Sequence, residues 1–444
     1  MHPVTAEAKP PAPTFADLFM PKIVTVLREG YALGDFRADV VAGLTVAIVA
    51  LPLSMAIAIA SGTTPDRGLY AAIFGGFLVS LLGGSRYQVG GPAGAFIVLV
   101  AASVVRHGID GVLLATMIAG AILMVAGLLR IGTYIRYIPY PVTIGFTAGI
   151  AVIIFASQIR DLLGLTLVGT EPGELIAKLA TLMRAVPTVN GAAVAISVAT
   201  IAIILGLRKV RPVWPGMLIA VIVTGLAAGL LALPVETIGT RFGGIPQNFP
   251  LPSFPEISVA KITAVLPDAM MFALLGAIES LLSAVVADGM TGRHHRSNSE
   301  LVAQGVANIG SALFGGICVT GTIARTATNV RAGAHGPIAG MLHSAFLLAF
   351  MLLAAPLASF IPLATLAGVL AVVAWNMAEK HAFAELLRSW QTAVVLLATF
   401  LLTIFMGLAE GIAVGSLIGG LIFLWRKRQG QSAPIKPASS DEFL

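Results

Sequence analysis

"GGICVTGTIARTA" (residues 315–327) decides how this chain folds. Apolar segments flank it, yet it carries three glycines and Arg325 within thirteen residues. A second stretch, "GGSRYQVGGPAGAF" (83–96), is organised in the same way. Each opens with Gly-Gly and passes through a short run containing Val89 or Val319. Each then reaches a glycine, Gly90 or Gly321, and enters a series of small residues. Both are too short and too broken for an ordinary spanning helix.

The whole chain has 444 residues, 57% of them hydrophobic and only 11% charged, with a mean hydropathy of +0.94. That is too little charge to cover a soluble protein of this length. Runs of about 20 apolar residues, the length that crosses a bilayer, recur along it. "VVAGLTVAIVALPLSMAIAIA" (40–60) and "TAVVLLATFLLTIFMGL" (392–408) are clear cases. The chain reads as an all-α polytopic membrane protein whose partner is the lipid bilayer. The net charge of +6 therefore reflects topology and not nucleic acid. A single cysteine, Cys318, excludes an intramolecular disulfide and a multi-cysteine metal site. HExxH, GxSxG, Walker A and clustered Cys/His patterns are all absent, so neither an enzyme nor a cofactor is expected. No compact signal peptide opens the chain. "TFAD" (14–17) is placed to cap a short interfacial helix running to about Arg28.

Hydropathy and breakers divide the chain into fourteen segments. The first lies near 40–60, the third near 92–105, the eighth near 267–288, the ninth near 299–314 and the tenth near 321–331. Lys and Arg gather in alternate connections: Arg86, then Arg130 and Arg136, then Arg208, Lys209 and Arg211, then Arg293 and Arg296. By the positive-inside rule both termini are cytoplasmic, in a bacterial-type inner membrane. The expected organisation is a cytoplasmic segment (1–37), seven spans (38–233), an outer connection (234–266), seven more spans (267–427) and a short tail (428–444). The two broken stretches are the third and tenth segments, seven apart, and so have opposite orientations. Paired interrupted segments in two halves point to a transporter site between inverted repeats.

If each broken stretch is a short strand leading into a half-helix, two helix starts face each other at mid-membrane. Unpaired N–H groups and the helix dipole there favour an anion. Pro92 suits a first helical turn; Gly90 and Gly91 let a ligand approach the backbone; Gly321 and Thr322 play the equivalent part, with Thr322 as N-cap or donor. Arg325 either supplies positive charge to a bound anion, locks helices in a salt bridge, or snorkels to the interface. Glu279, inside the apolar eighth segment with Ser280 beside it and Ser283 one turn on, is its natural counter-charge. Glu279 either binds H⁺, helps coordinate Na⁺ with Ser283, or forms a permanent ion pair with Arg325. "SNSE" (297–300) reads as a capping box, "RHHR" (293–296) as a solvated loop, and His343 as a hydrogen-bonded core residue. Pro52 and Ser54 interrupt the first segment.

The block "GAIESLLSAVVADGMTGRHHRSNSELVAQGVANIGSALFGGICVTGTIARTATNVRAGAHGPIAG" (276–340) resembles the sulfate permease (SulP) family of anion transporters, relatives of the animal sulfate/anion exchangers and prestin. "ADVVAGLTVAIVALPLSMAIAIASG" (38–62) and 83–96 are similar to that family's first and third segments. The resemblance spans roughly 38–427. It implies seven plus seven inverted repeats, a core and a gate domain, an elevator-like movement and a homodimer. It places the anion against Gly91, Pro92, Ala93, Gly94 and Ala95 on one side. On the other it implies Gly321, Thr322, Ile323, Ala324 and Arg325, with Pro52 and Leu53 from the first segment. Glu279 falls on the family's cation-coupling acid and Ser283 on a nearby hydroxyl. Ala324 stands where many relatives have Ser, and Leu53 where many have Gln. Members usually continue into a STAS domain; here only "QGQSAPIKPASSDEFL" follows "RKR" (426–428). The expected function is uptake of an oxyanion, foremost sulfate, coupled to H⁺ or Na⁺. Bicarbonate with Na⁺, C4-dicarboxylates with H⁺, and an uncoupled anion channel or exchanger are the alternatives.

Overall fold

Lipid offers no hydrogen bonds to the backbone, so helix is the default for so apolar a chain. The computed structural model describes residues 18–133, 139–169, 171–172, 175–212 and 214–428. The expected cap at 14–17, Arg136 and the tail from 429 lie outside the described residues. Helix α1 spans Lys22–Glu29 and α2 Leu33–Ala60. Next, α3 (Pro65–Tyr70) runs through a π turn, Ala71–Gly75, into α4 (Gly76–Leu82). Strand β1 is Gly90–Gly91, followed by α5 (Phe96–Leu128), which breaks at Gly108 where φ is 65°. Then come α6 (Tyr140–Leu163), α7 (Leu175–Ala185), α8 (Gly191–Val210), α9 (Gly216–Leu230) and the short α10 (Ile238–Phe242).

The second half opens with α11 (Val259–Thr291) and α12 (Ser297–Leu313). Strand β2 (Thr320–Gly321) leads into α13 (Ile323–Arg331), followed by α14 (Pro337–Ala358) and α15 (Leu363–Met377). Helices α16 (Lys380–Leu386), α17 (Trp390–Phe405) and α18 (Leu408–Arg428) complete the described chain. Among the described residues seven helices are long and apolar enough to cross a membrane. Helix α11 begins eight residues before the expected start at 267, because Ser258 caps it through Lys261 N at 3.2 Å. Pro267 is carried inside this helix and does not open it.

Close approach of their backbones sorts the helices into two groups. In one, α5 packs on α11 and α12, α14 on α2 and α4, and α13 on α11 and α2. In the other, α6 packs on α15 and α17, and α8 on α9 and α15. The groups meet where α2 touches α15 and α9. Strands β1 and β2 lie inside the first group as an antiparallel pair, with Gly90 opposite Gly321 and Gly91 opposite Thr320. The two glycines aligned from sequence thus face one another in the register.

Helix α1 straps the ends of this group. Lys22 N donates to Gly83 O at 2.9 Å, and Arg296 Nη1 reaches Met20 O and Thr25 Oγ1, each at 3.0 Å. Arg86, 6% exposed, donates to Glu29 at 2.5 Å. That contact holds the Glu29 carboxyl below its ordinary pKa. A depressed acid stabilises the folded arrangement above its unfolded pKa of about 4.3 and loses that contribution as pH falls through the folded value. Glu29 is 42% exposed, so the effect is worth no more than about 1 kcal/mol. Glu29→Gln should therefore lower amide-exchange protection over 22–29 at pH 7, by an amount that shrinks as pH falls through the folded pKa of Glu29. A loss that does not change with pH down to acid unfolding would show that the ion pair does not hold the strap.

Candidate functional site

A strand of two residues leaves most of its neighbouring backbone groups without ladder partners, and inside a membrane each must be satisfied by protein. Side chains perform that task here. Ahead of β2, Asn308 clamps the Val319 peptide, donating to its carbonyl at 2.9 Å and accepting from its N–H at 3.0 Å. Ser311 Oγ donates to Ile317 O at 2.7 Å. Ahead of β1, Val89 N donates to Thr326 Oγ1 at 3.2 Å, and Asn329 Nδ2 donates to Tyr87 O at 2.9 Å. The Val89 carbonyl accepts from Thr322 N at 3.2 Å.

Arg325 completes the set. It is 2% exposed and extends from the first turn of α13 across β1. Its guanidinium donates to Gly90 O and Pro92 O, both at 3.3 Å, and to Ser54 Oγ on α2 at 3.0 Å. It makes no ion pair among the described residues, and its Nε has no hydrogen-bond partner there. The expected counter-charge is not in contact with it. Glu279 is half-buried, and its carboxylate has no hydrogen-bond or ion-pair partner among the described residues. The permanent Arg325–Glu279 pair is therefore ruled out for this geometry. Ser283, fully buried, donates to Thr326 Oγ1 at 3.0 Å and so joins α11 to α13.

The other expected residues separate by place. Gly91, Ala93 and Ala95 are buried around β1 and the start of α5, and Gly321 and Thr322 around β2 and the start of α13. Gly94 faces the second helix group, where a β-carbon would lie 3.3 Å from Ile154 and 3.4 Å from Met377. Ala324 is exposed and Ile323 half-buried. Pro92 is not in a first helical turn: α5 starts at Phe96, whose N–H bonds Ala93 O at 3.1 Å. Pro92 instead serves the extended link, and its carbonyl is held by Arg325. Thr322 occupies the N-cap position of α13, but its hydroxyl makes no cap bond. Pro52 lines an apolar cavity of about 750 Å³ between α2, α9 and α14, and Leu53 packs in the hydrophobic core.

Two further corrections concern polar residues. "SNSE" is no capping box: α12 follows Arg296 without a side-chain cap, and Glu300 turns inward to accept from Ser85 N at 3.0 Å. His343 is fully buried, yet neither ring nitrogen finds a hydrogen-bond partner among the described residues. The loop histidine His295 does bond Asp288, at 2.6 Å. No group of three or more His, Cys, Asp or Glu capable of holding a metal occurs among the described residues. Ser54, which meets Arg325, is not among the expected anion contacts; in the sequence it stands out only as a break, with Pro52, in the first apolar segment.

The arrangement suits an anion. Thr326 N is the first amide of α13 to reach the acceptor four residues back, Thr322 O at 2.9 Å. The N–H groups of Ile323, Ala324 and Arg325 therefore open the helix without such partners. A buried guanidinium paired only to neutral oxygens adds a full positive charge beside them. Glycine leaves room where this charge crosses the strand: a β-carbon on Gly91 would fall 1.6 Å from Arg325 Nη1 and displace the guanidinium from its hydrogen bonds. Gly91→Ala should lower unfolding stability in detergent by about 1–3 kcal/mol through overpacking. The loss should be smaller in an Arg325→Ala background, where the obstacle is gone; strict additivity would refute the close-approach account.

Known proteins resemble this chain in sequence and in fold. Residues 36–403 match the description of the sulfate permease family. The putative sulfate transporter YvdB of Bacillus subtilis is 42% identical over 401 residues, covering 90% of this chain and 75% of that protein. The bicarbonate transporter BicA of Picosynechococcus sp. is 30% identical, covering 91% and 73%. Among solved structures, the transmembrane domain of a cyanobacterium BicA superposes with a TM-score of 0.77 at 29% identity, covering 88% of this chain and 98% of that one. Murine Slc26a9 in the inward-facing state shares the fold with a TM-score of 0.84 at 20% identity, over 95% and 74%. The chain belongs to the sulfate permease family of membrane anion transporters, not enzymes.

Proposed function

We propose that this protein is a secondary active transporter of a small oxyanion, foremost sulfate, driven by H⁺ or Na⁺ through Glu279. The observation that carries the reading is the buried, ion-pair-free Arg325 at the start of α13, beside the link into α5. A buried cation without a carboxylate is costly unless a counter-ion visits it. In this reading the anion lies between the starts of α5 and α13, touched by the backbone of 91–95 and 321–325. Arg325 supplies charge and, through Gly90 and Pro92, fixes the strand. Glu279, facing no fixed cation, is free to take up the coupling ion. The 42% identity to a putative sulfate transporter supports sulfate. The 30% identity to BicA supports bicarbonate as the second reading.

Fourteen segments arranged as seven plus seven inverted repeats, with both termini cytoplasmic, complete the proposal. The group holding the strands would then be the moving core, and the group of α6, α8, α9, α15, α17 and α18 the gate, commonly in a homodimer. Uptake of labelled sulfate, bicarbonate and succinate into proteoliposomes under imposed H⁺ or Na⁺ gradients tests it. One anion should accumulate with one gradient, and Glu279→Gln should abolish accumulation. Movement that ignores both gradients, or accumulation that survives Glu279→Gln, would contradict coupling through this residue and favour a channel or exchanger.

A further inference from the structure

Glu300 is fully buried in α12 and has no ion-pair partner among the described residues. The hydrogen-bonding groups around its carboxylate are donors. Oε2 accepts from Ser85 N at 3.0 Å. Oε1 accepts from Gln88 Nε2 at 2.8 Å, Gln304 Nε2 at 3.2 Å and Ser280 Oγ at 3.3 Å. Those donors do for the carboxylate what a cation otherwise would. Two of them, Ser85 and Gln88, lie on the segment that leads into β1. A third, Ser280, follows Glu279 directly on α11 and itself accepts from Gln88 Nε2 at 2.8 Å.

Gln88 is the hinge of this cluster. Its amide lies across β2, where a β-carbon on Gly321 would fall 1.7 Å from Gln88 Nε2. Opposed residues of an antiparallel pair share a face, and neighbours along a strand alternate. Gly321 therefore presents one face of the strand pair to Gln88 and Glu300, and Gly91 presents the other to Arg325. The pair is held between a carboxylate network behind and a guanidinium in front.

We propose that Glu300 is a positioning residue of the anion site. Acting through Gln88, it fixes β1 against β2 and ties both to the helix of Glu279. The inference rests on the anion-site reading given above. Its role is geometric, so its loss should weaken anion recognition without removing the response to the coupling gradient.

The test measures KM and kcat for uptake in full-length Glu300→Gln, Glu300→Asp, Gln88→Ala and Arg325→Lys, using whichever of sulfate, bicarbonate or succinate the wild-type protein accumulates. Glu300→Gln turns one acceptor oxygen into a donor facing donors. It should raise KM at least about tenfold, the effect of leaving a buried hydrogen bond unmade. The response to H⁺ or Na⁺ should persist, and Glu300→Asp should restore part of the affinity. Gln88→Ala leaves Glu300 in place, yet should raise KM similarly, and the double variant should be no worse than either single one. Should Glu300→Gln fail to fold, Gln88→Ala alone carries the test. Unchanged KM in Gln88→Ala, while Arg325→Lys raises it, would overturn the positioning role. If Arg325→Lys also leaves KM unchanged, the anion-site reading itself fails.

Discussion

Inside a bilayer, an extended backbone must find every hydrogen bond within the protein. The rest of this structure follows from that constraint. The strand pair Gly90–Gly91 with Thr320–Gly321 supplies only a few ladder bonds of its own. Asn308, Ser311, Thr326, Asn329 and Arg325 satisfy the flanking peptide groups, and each belongs to a helix packed around the strands. The polar residues of α12 and α13 are thus the support for a stretch of chain that lipid would not tolerate. What the support leaves open is the start of α13, where three amides lack intrahelical acceptors.

Arg325 serves both ends of that arrangement. Hydrogen bonds from a charged donor to buried oxygens are worth about 1.5–3 kcal/mol each; those to Gly90 O and Pro92 O hold β1 and the link after it, and the one to Ser54 ties them to α2. They also leave the positive charge without a fixed negative partner. A lysine could not reproduce the contacts, because its single ammonium lacks the planar fork that spans two carbonyls and a hydroxyl. The same side chain therefore shapes the backbone and sets the electrostatics. The long apolar side chains elsewhere supply the hydrophobic frame that keeps it in place.

Much of this was legible in the sequence, for particular reasons. Composition alone requires lipid. The paired Gly-Gly stretches reveal the two breaks in helix; that their aligned glycines, Gly90 and Gly321, pair across the two strands is shown only by the structure. Arg325 stands out because arginine is costly among small apolar residues. The partners were not legible, since tertiary approach decides them: nothing local connects Ser54 to Arg325 or Asn308 to Val319. Glu300 departs from the local capping signal of a serine three residues before a glutamate, because a buried acceptor site overrides it. Pro92 is ambiguous in the same way. Its fixed φ suits an extended link as well as a first helical turn. Glu279 stands out in the sequence as an acid within an apolar segment, but its lack of contact with Arg325 is decided by tertiary approach and could not be read from the chain.

The central claim is that a transported anion lies between the starts of α5 and α13, within reach of the Ile323–Arg325 amides. Its most direct measurement is an experimental structure determined with selenate, an anomalously scattering analogue of sulfate, at a concentration that inhibits uptake. The account predicts one anomalous peak in that gap, lost in the Arg325→Ala protein. A peak elsewhere in the membrane region, with the gap empty, would contradict it.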